Sequence, residues 1–117
     1  MNIDVKDLEF SRALMLSTAH MTEDDVDLLD EEGRRSDENL PANTFVVQNY
    51  PEGYWIYIPP AGPEFDDTFQ KAKKWYSSKF MRLLWLIEDV RDLGEEVTHL
   101  RLDCDGPTVK ALNPESW

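Results

Sequence analysis

His20, Asp103 and Asp105 are the one set in this chain where a base and two carboxylates could meet. They would meet if the C-terminal ends of the first and last strands lie side by side, and together they could hold a divalent metal or carry acid/base chemistry. The same residues also read as turn chemistry. Asp105-Gly106-Pro107 has the make-up of a turn in which Asp accepts backbone amides, and a histidine just before a helix cap often does the same. The turn reading is preferred, and no metal, cofactor or catalytic residue is assigned. Ser17, Thr18 and Cys104 are nucleophile types, yet none has the glycine spacing of a nucleophile elbow, and only two histidines could serve as base. Five glycines scattered singly give no phosphate-cradling loop.

Charge offers a different chemistry, that of recognition. Between Glu23 and Glu38 nine carboxylates stand against two bases, Arg34 and Arg35, a net −7 over sixteen residues. Such a stretch repels nucleic acid and anionic membrane and attracts basic surfaces, among them the nucleic-acid-binding groove of another protein. Regularly spaced carboxylates on a helix can stand in for phosphates there, and Asp24, Asp27, Asp30, Glu31 and Glu32 are the expected contacts. The whole chain carries −12, above the magnitude of about 2 to 8 that suits a small soluble domain. Lys71, Lys73, Lys74, Lys79 and Arg82 fall in twelve residues without a carboxylate, so the charge is dipolar along the sequence. Trp55, Tyr57, His99 and Arg101 could share a sheet face on which bases stack, but −12 opposes a polyanion, and packing of Trp55 and Tyr57 under a helix around Phe65, Phe69 and Trp75 is preferred. Trp85, with Met81, lies roughly opposite the apolar stripe of its helix; left exposed, it would anchor a partner or a twin subunit.

The elements that must position these groups follow from pattern. Arg12 to Ser17 reads as a buried strand. Thr22 is a good N-cap, Asp25 sits where its carboxylate meets the free amides, and Gly33 is the expected stop of that helix. Thr44–Gln48 and Tyr54–Ile58 read as a hairpin around Asn49–Gly53, the second strand turning Tyr54, Ile56 and Ile58 one way and Trp55 and Tyr57 the other. A short helix over Glu64–Trp75, capped near Asp66 or Asp67, precedes a stronger one from Ser77 or Ser78 to Leu93, ended by Gly94. Val97–Asp103 alternates as a half-buried strand, with Leu100 and Leu102 opposed to His99 and Arg101. The order along the chain is β-α-β-β-α-β with one extra helical piece. It predicts a single α+β domain over 1–117: a small, mostly antiparallel sheet with helices on one face, with a ferredoxin-like split βαβ as one arrangement.

One cysteine, Cys104, excludes an internal disulfide and suits a reducing cytoplasm. Met1–Asp7 lacks a basic start before an apolar run, and no segment approaches the ~18 apolar residues of a membrane span, so export and membrane embedding are not expected.

At Ser17-Thr18-Ala19-His20-Met21-Thr22-Glu23, at Gly53-Tyr54-Trp55-Ile56-Tyr57-Ile58-Pro59, and at Leu100-Arg101-Leu102-Asp103-Cys104-Asp105-Gly106 with Trp117, the chain resembles a family of small bacterial proteins of unknown function carried by plasmids, integrative elements and phages. The resemblance runs from about residue 12 onward. It implies an origin on mobile DNA beside genes that counter host defence, and it carries no catalytic assignment. The chain is more acidic around Asp24–Glu38 and more basic around Lys71–Arg82 than that pattern. The leading expectation is a non-enzymatic anti-CRISPR or anti-restriction inhibitor occupying the basic, nucleic-acid-binding surface of a host protein, without binding nucleic acid itself. A homodimeric interaction module using Trp85 and Trp55, and a small metal-dependent enzyme using His20, Asp103 and Asp105, are the alternatives.

Overall fold

The Thr22-x-x-Asp25 spacing acts as expected in the computed structural model, which describes residues 12–112. Thr22 accepts the Asp25 amide at 3.2 Å while the Asp25 carboxylate accepts the Thr22 amide at 3.0 Å, a reciprocal cap that starts α1 (Glu23–Asp37). Glu23, Asp24 and Asp25 fill the first turn, where their charge complements the helix dipole, while at the other end Arg34 and Arg35 are offset by Asp37 and the C-cap Glu38. Gly33 does not stop the helix. It lies buried within α1, where a β-carbon would stand 2.2 Å from the Asn49 side chain, so the missing side chain serves close approach to the neighbouring strand instead of termination. The chain leaves α1 at Glu38 and turns through Asn39 at φ 56°.

Before α1 come β1 (Ala13–Ser17) and a single 3₁₀ turn, Thr18–His20. The hairpin is β2 (Val47–Tyr50) and β3 (Gly53–Tyr57), joined by Pro51 and Glu52 alone. Its first strand starts three residues later than the pattern predicts because the Asn43 and Thr44 amides donate to the Glu32 carboxylate, which ties that segment to α1. α2 (Pro63–Trp75) is capped by Gly62 with Pro63 in its first position, not near Asp66 or Asp67; a φ of 133° at Gly62 explains the glycine, and the absent amide of Pro63 is no loss at a helix start. α3 (Ser78–Asp92) opens as expected on Ser77, whose hydroxyl accepts the Phe80 amide at 3.1 Å, and is left through Gly94 at φ 94°. β4 (His99–Asp103) completes the sheet.

The sheet order is β1-β4-β3-β2, with β1 parallel to β4 and the other two pairs antiparallel. The fold is α+β, but its strand arrangement is not the split βαβ. That arrangement needs a strand between the parallel pair, whereas Ala13 to Ser17 pair directly with His99 to Asp103. β4 is therefore central, which fits the complete burial of Leu100 and Leu102, and β1 is an edge strand in which only Leu16 and Ser17 are buried. Leu29 of α1, Phe65 and Ala72 of α2, and Phe80, Leu83, Leu84 and Ile87 of α3 join Tyr54, Ile56 and Ile58 in one core on one face of the sheet. Trp55 and Tyr57 lie on the opposite face, away from Phe65 and Phe69, because alternation along β3 leaves no other choice once Tyr54 and Ile56 are buried. No helix among the described residues is long and apolar enough to cross a membrane. The Met1–Asp7 opening and Trp117 lie outside the described residues.

Candidate functional site

The carboxylates of α1 divide into two groups by what they touch. Asp25 is fully buried, and its oxygens accept the Ser77 amide at 2.8 Å and the Ser77 hydroxyl at 2.5 Å in addition to the Thr22 amide. One carboxylate thus serves the N-termini of both α1 and α3. Glu32, 4% exposed, accepts the Asn43 and Thr44 amides at 3.0 and 2.7 Å. Asp30 stays on the surface and accepts the Tyr54 hydroxyl at 2.5 Å; burial, then this carboxylate, push the Tyr54 pKa well up. Glu31 pairs with Arg34, whose hydrogen bond holds its carboxyl below the ordinary value. Glu23, Asp24 and Asp27 are exposed and enter no ion pair among the described residues. Of the five expected contacts, Asp24, Asp27, Asp30 and Glu31 therefore share the surface, and Glu32 is withdrawn into the fold. Composition treats all these carboxylates alike. Periodicity separates them: Asp25, Leu29 and Glu32 recur at four and three residues and so share the buried stripe.

The strand ends beside His20 do lie side by side, since Ser17 pairs with Asp103. They do not form a triad. His20 is fully buried, and its Nε2 accepts the Val109 amide at 3.0 Å, which leaves the proton on Nδ1. Asp103 accepts the Tyr50 hydroxyl at 2.7 Å and the Asp105 amide at 2.8 Å, with Arg101 at 3.4 Å; these contacts, Tyr50 first, hold its carboxyl below the usual range. Ligand-type atoms of Asp103, Cys104 and Asp105 fall within 4.8 Å of one another, without His20. Burial and then the surrounding carboxylates push the Cys104 thiol up, so it is not a poised thiolate at neutral pH. His20 accepts a backbone amide as the turn reading expects, but the carboxylate that accepts the turn amide is Asp103 and not Asp105, and its bonds to Tyr50 and Arg101 lie outside that reading.

A pH prediction follows from the two histidines. Burial lowers the pKa of both His20, where Lys79 adds to the effect, and His99, so the unfolded chain takes up protons at about pH 6.5 before the folded one does. Stability is then fully present above pH 6.5 and declines as the pH falls toward the folded-state values. Denaturant titrations from pH 8 to 5 should show that decline, and His20→Gln should reduce it to the part that His99 contributes. A wild-type profile flat down to pH 5 would contradict the assignment.

On the open face of the sheet, Trp55, Tyr57, His99 and Arg101 are indeed neighbours. His99 meets Trp55 and Tyr57 edge-on at 5.9 and 5.6 Å, and the Arg101 guanidinium lies over Trp55 and Tyr50 at 5.1 and 5.4 Å. Arg101 also donates to the Tyr50 hydroxyl, so its charge is already engaged within the chain. Trp85, 59% exposed, stacks on Phe69 with rings 9° from parallel.

A family model described as "Family of unknown function (DUF5983) C-terminal domain" matches residues 13–117. The chain belongs to this family. No curated protein and no solved structure matches it. The DUF5983 domain thus begins at β1 and takes in both the acidic helix and the basic α2–α3 stretch. Sequence reasoning missed two features of the DUF5983 chain that bear on these surfaces. One is the bond between Asp25 and Ser77, 52 residues apart, for which the sequence carries no local signal beyond two helix caps. The other is the engagement of Arg101 by Tyr50 and Asp103, which depends on the pairing of β4 with β3.

Proposed function

We propose that this DUF5983 protein is a non-enzymatic inhibitor that occupies a basic, nucleic-acid-binding surface of another protein through the outward face of α1. The observation that carries this reading is the row Glu23, Asp24, Asp27, Asp30 and Glu31. These five carboxylates face outward over about 12 Å of helix axis at ~1.5 Å per residue, while Asp25 and Glu32 turn inward. A carboxylate about every 3 Å is close to the ~3.4 Å per phosphate of one nucleic-acid strand, with Glu31 the one already shared with Arg34. A groove of Lys and Arg built for phosphates would meet a comparable spacing of negative charge on a rigid, doubly capped helix. Rigidity matters because the ordering entropy is spent on folding and not on binding.

The mobile-DNA company implied by the sequence resemblance supports a target within a host defence complex, the setting of anti-CRISPR and anti-restriction proteins. The metal-enzyme alternative has less support, because His20 is committed to Val109 and Asp103 to Tyr50, Asp105 and Arg101. Competition tests the reading. The partner captured from bacterial lysate on immobilised protein should be released by duplex DNA or by RNA, and by salt, since going from 0.15 to 1 M shortens the screening length from ~8 to ~3 Å. A captured partner that nucleic acid cannot displace would overturn the proposal.

A further inference from the structure

A second surface, on the other side of the charge dipole, has its own recognition chemistry. α2 and α3 bound a cleft of about 490 Å³ lined by Phe69, Lys73, Tyr76, Met81, Arg82 and Trp85. Its floor is apolar: Met81 and Tyr76 are buried, and Trp85 is pinned against Phe69 on one side while 59% of it remains exposed. Its rim is basic. Lys73 and Arg82 are exposed and, among the described residues, enter no ion pair, whereas Lys71, two residues before Lys73, is held by Asp67 at 3.2 Å. The last turn of α2 adds Lys74, and no carboxylate occurs from Lys71 to Arg82.

We propose that this cleft binds an acidic peptide segment of a partner protein, with one apolar side chain seated between Met81 and the exposed side of Trp85 and flanking carboxylates on Lys73 and Arg82. An apolar floor alone would fit many occupants; the charge of the rim selects among them. A two-fold contact between copies through this face would set Lys73, Lys74 and Arg82 against their own images, a repulsion that symmetry duplicates. A polynucleotide would carry one charge per phosphate past the rim and over the rest of a chain of net −12, where a short peptide does not reach, and the cleft offers it a single stacked ring. A peptide with a few carboxylates and an apolar anchor matches both rim and floor, and a pinned Trp is a favoured interface anchor. The rest of the negative charge is screened beyond ~8 Å at physiological salt.

The test uses the full chain and a fluorescein-labelled synthetic peptide of alternating Glu and Leu with one Phe, read by anisotropy, with amide and indole shifts recorded by NMR. Saturable binding is expected, with shifts confined to α2 and α3. Trp85→Ala should weaken it at least about thirtyfold, and Arg82→Glu about tenfold, with the salt dependence reduced. Both side chains are exposed, and unchanged melting of Arg82→Glu keeps the test independent of any loss of fold in Trp85→Ala. Charge reversal on α1 should leave peptide binding intact, which separates this surface from the acidic one. No saturable binding, wild-type affinity in both variants, preferential binding of oligothymidylate in the cleft, or self-association lost in Trp85→Ala would each overturn the proposal.

Discussion

Replacing Asp25 by alanine should destabilise the protein by about 3 kcal/mol, far more than replacement of any outward carboxylate on the same helix. The carboxylate is fully buried and accepts three hydrogen bonds, from the Thr22 amide and from the Ser77 amide and hydroxyl. Hydrogen bonds to a charged acceptor are worth about 1.5–3 kcal/mol, and loss of the acceptor leaves the Ser77 and Thr22 amides without partners in a closed site. At about 4–8 °C per kcal/mol in a small domain, the melting temperature should drop by roughly 12–24 °C. Asp24→Ala, on the exposed face of the same turn, should stay within about 0.5 kcal/mol. The two helix caps should also be coupled. A double-mutant cycle of Asp25→Ala with Ser77→Ala should give a coupling of about 1 kcal/mol or more, since each side chain completes the other's cap. Equal costs for Asp24→Ala and Asp25→Ala would contradict the inward role of this carboxylate.

Gly53→Ala should be nearly as damaging, for a steric reason. A β-carbon at position 53 would stand 1.8 Å from the Leu102 carbonyl oxygen and 2.8 Å from its carbon, both backbone atoms of the central strand β4. Backbone paired on both sides cannot retreat, so the variant should lose at least about 3 kcal/mol or break the β3–β4 register. Gly33→Ala is the control. There the obstructing atoms are the far end of the Asn49 side chain at 2.2 Å, which can swing aside, and alanine gains about 1 kcal/mol of helix propensity over glycine. Near-wild-type stability for Gly33→Ala, measured by urea titration beside Gly53→Ala, is the expected contrast.

Local features of this fold were legible in the sequence because their physics is local. The Thr22–Asp25 cap, the Ser77 cap, the exit at Gly94 and the two-faced alternation of β3 and β4 all depend on residues within four positions of one another. Gly33 was misjudged as a stop and the cap at Gly62 was missed for one shared reason: a glycine stops a helix, starts one or admits a neighbour according to what lies beside it, and its type does not say which. The direct β1–β4 pairing was equally hidden, since element order along the chain fits more than one parallel arrangement. At the candidate surface, net charge located the acidic helix but could not distinguish Asp25 and Glu32, whose partners Ser77, Asn43 and Thr44 come from other parts of the chain. Trp85 was legible as a residue off the apolar stripe. Its contact with Phe69 required the packing of α2 on α3.

The outward carboxylates are the centre of this account, and charge reversal tests them most directly. Capture from bacterial lysate should be compared quantitatively between the wild-type protein and a variant carrying Asp24→Lys, Asp27→Lys and Glu31→Lys, with both melted in parallel. All three positions lie off the buried stripe of α1, so the variant should fold, melting below the wild type only by what the Glu31–Arg34 pair and the first-turn charge at Asp24 contribute. The account predicts that this folded variant captures none of the partner that the wild type does. Capture at the wild-type yield by the folded variant would contradict it.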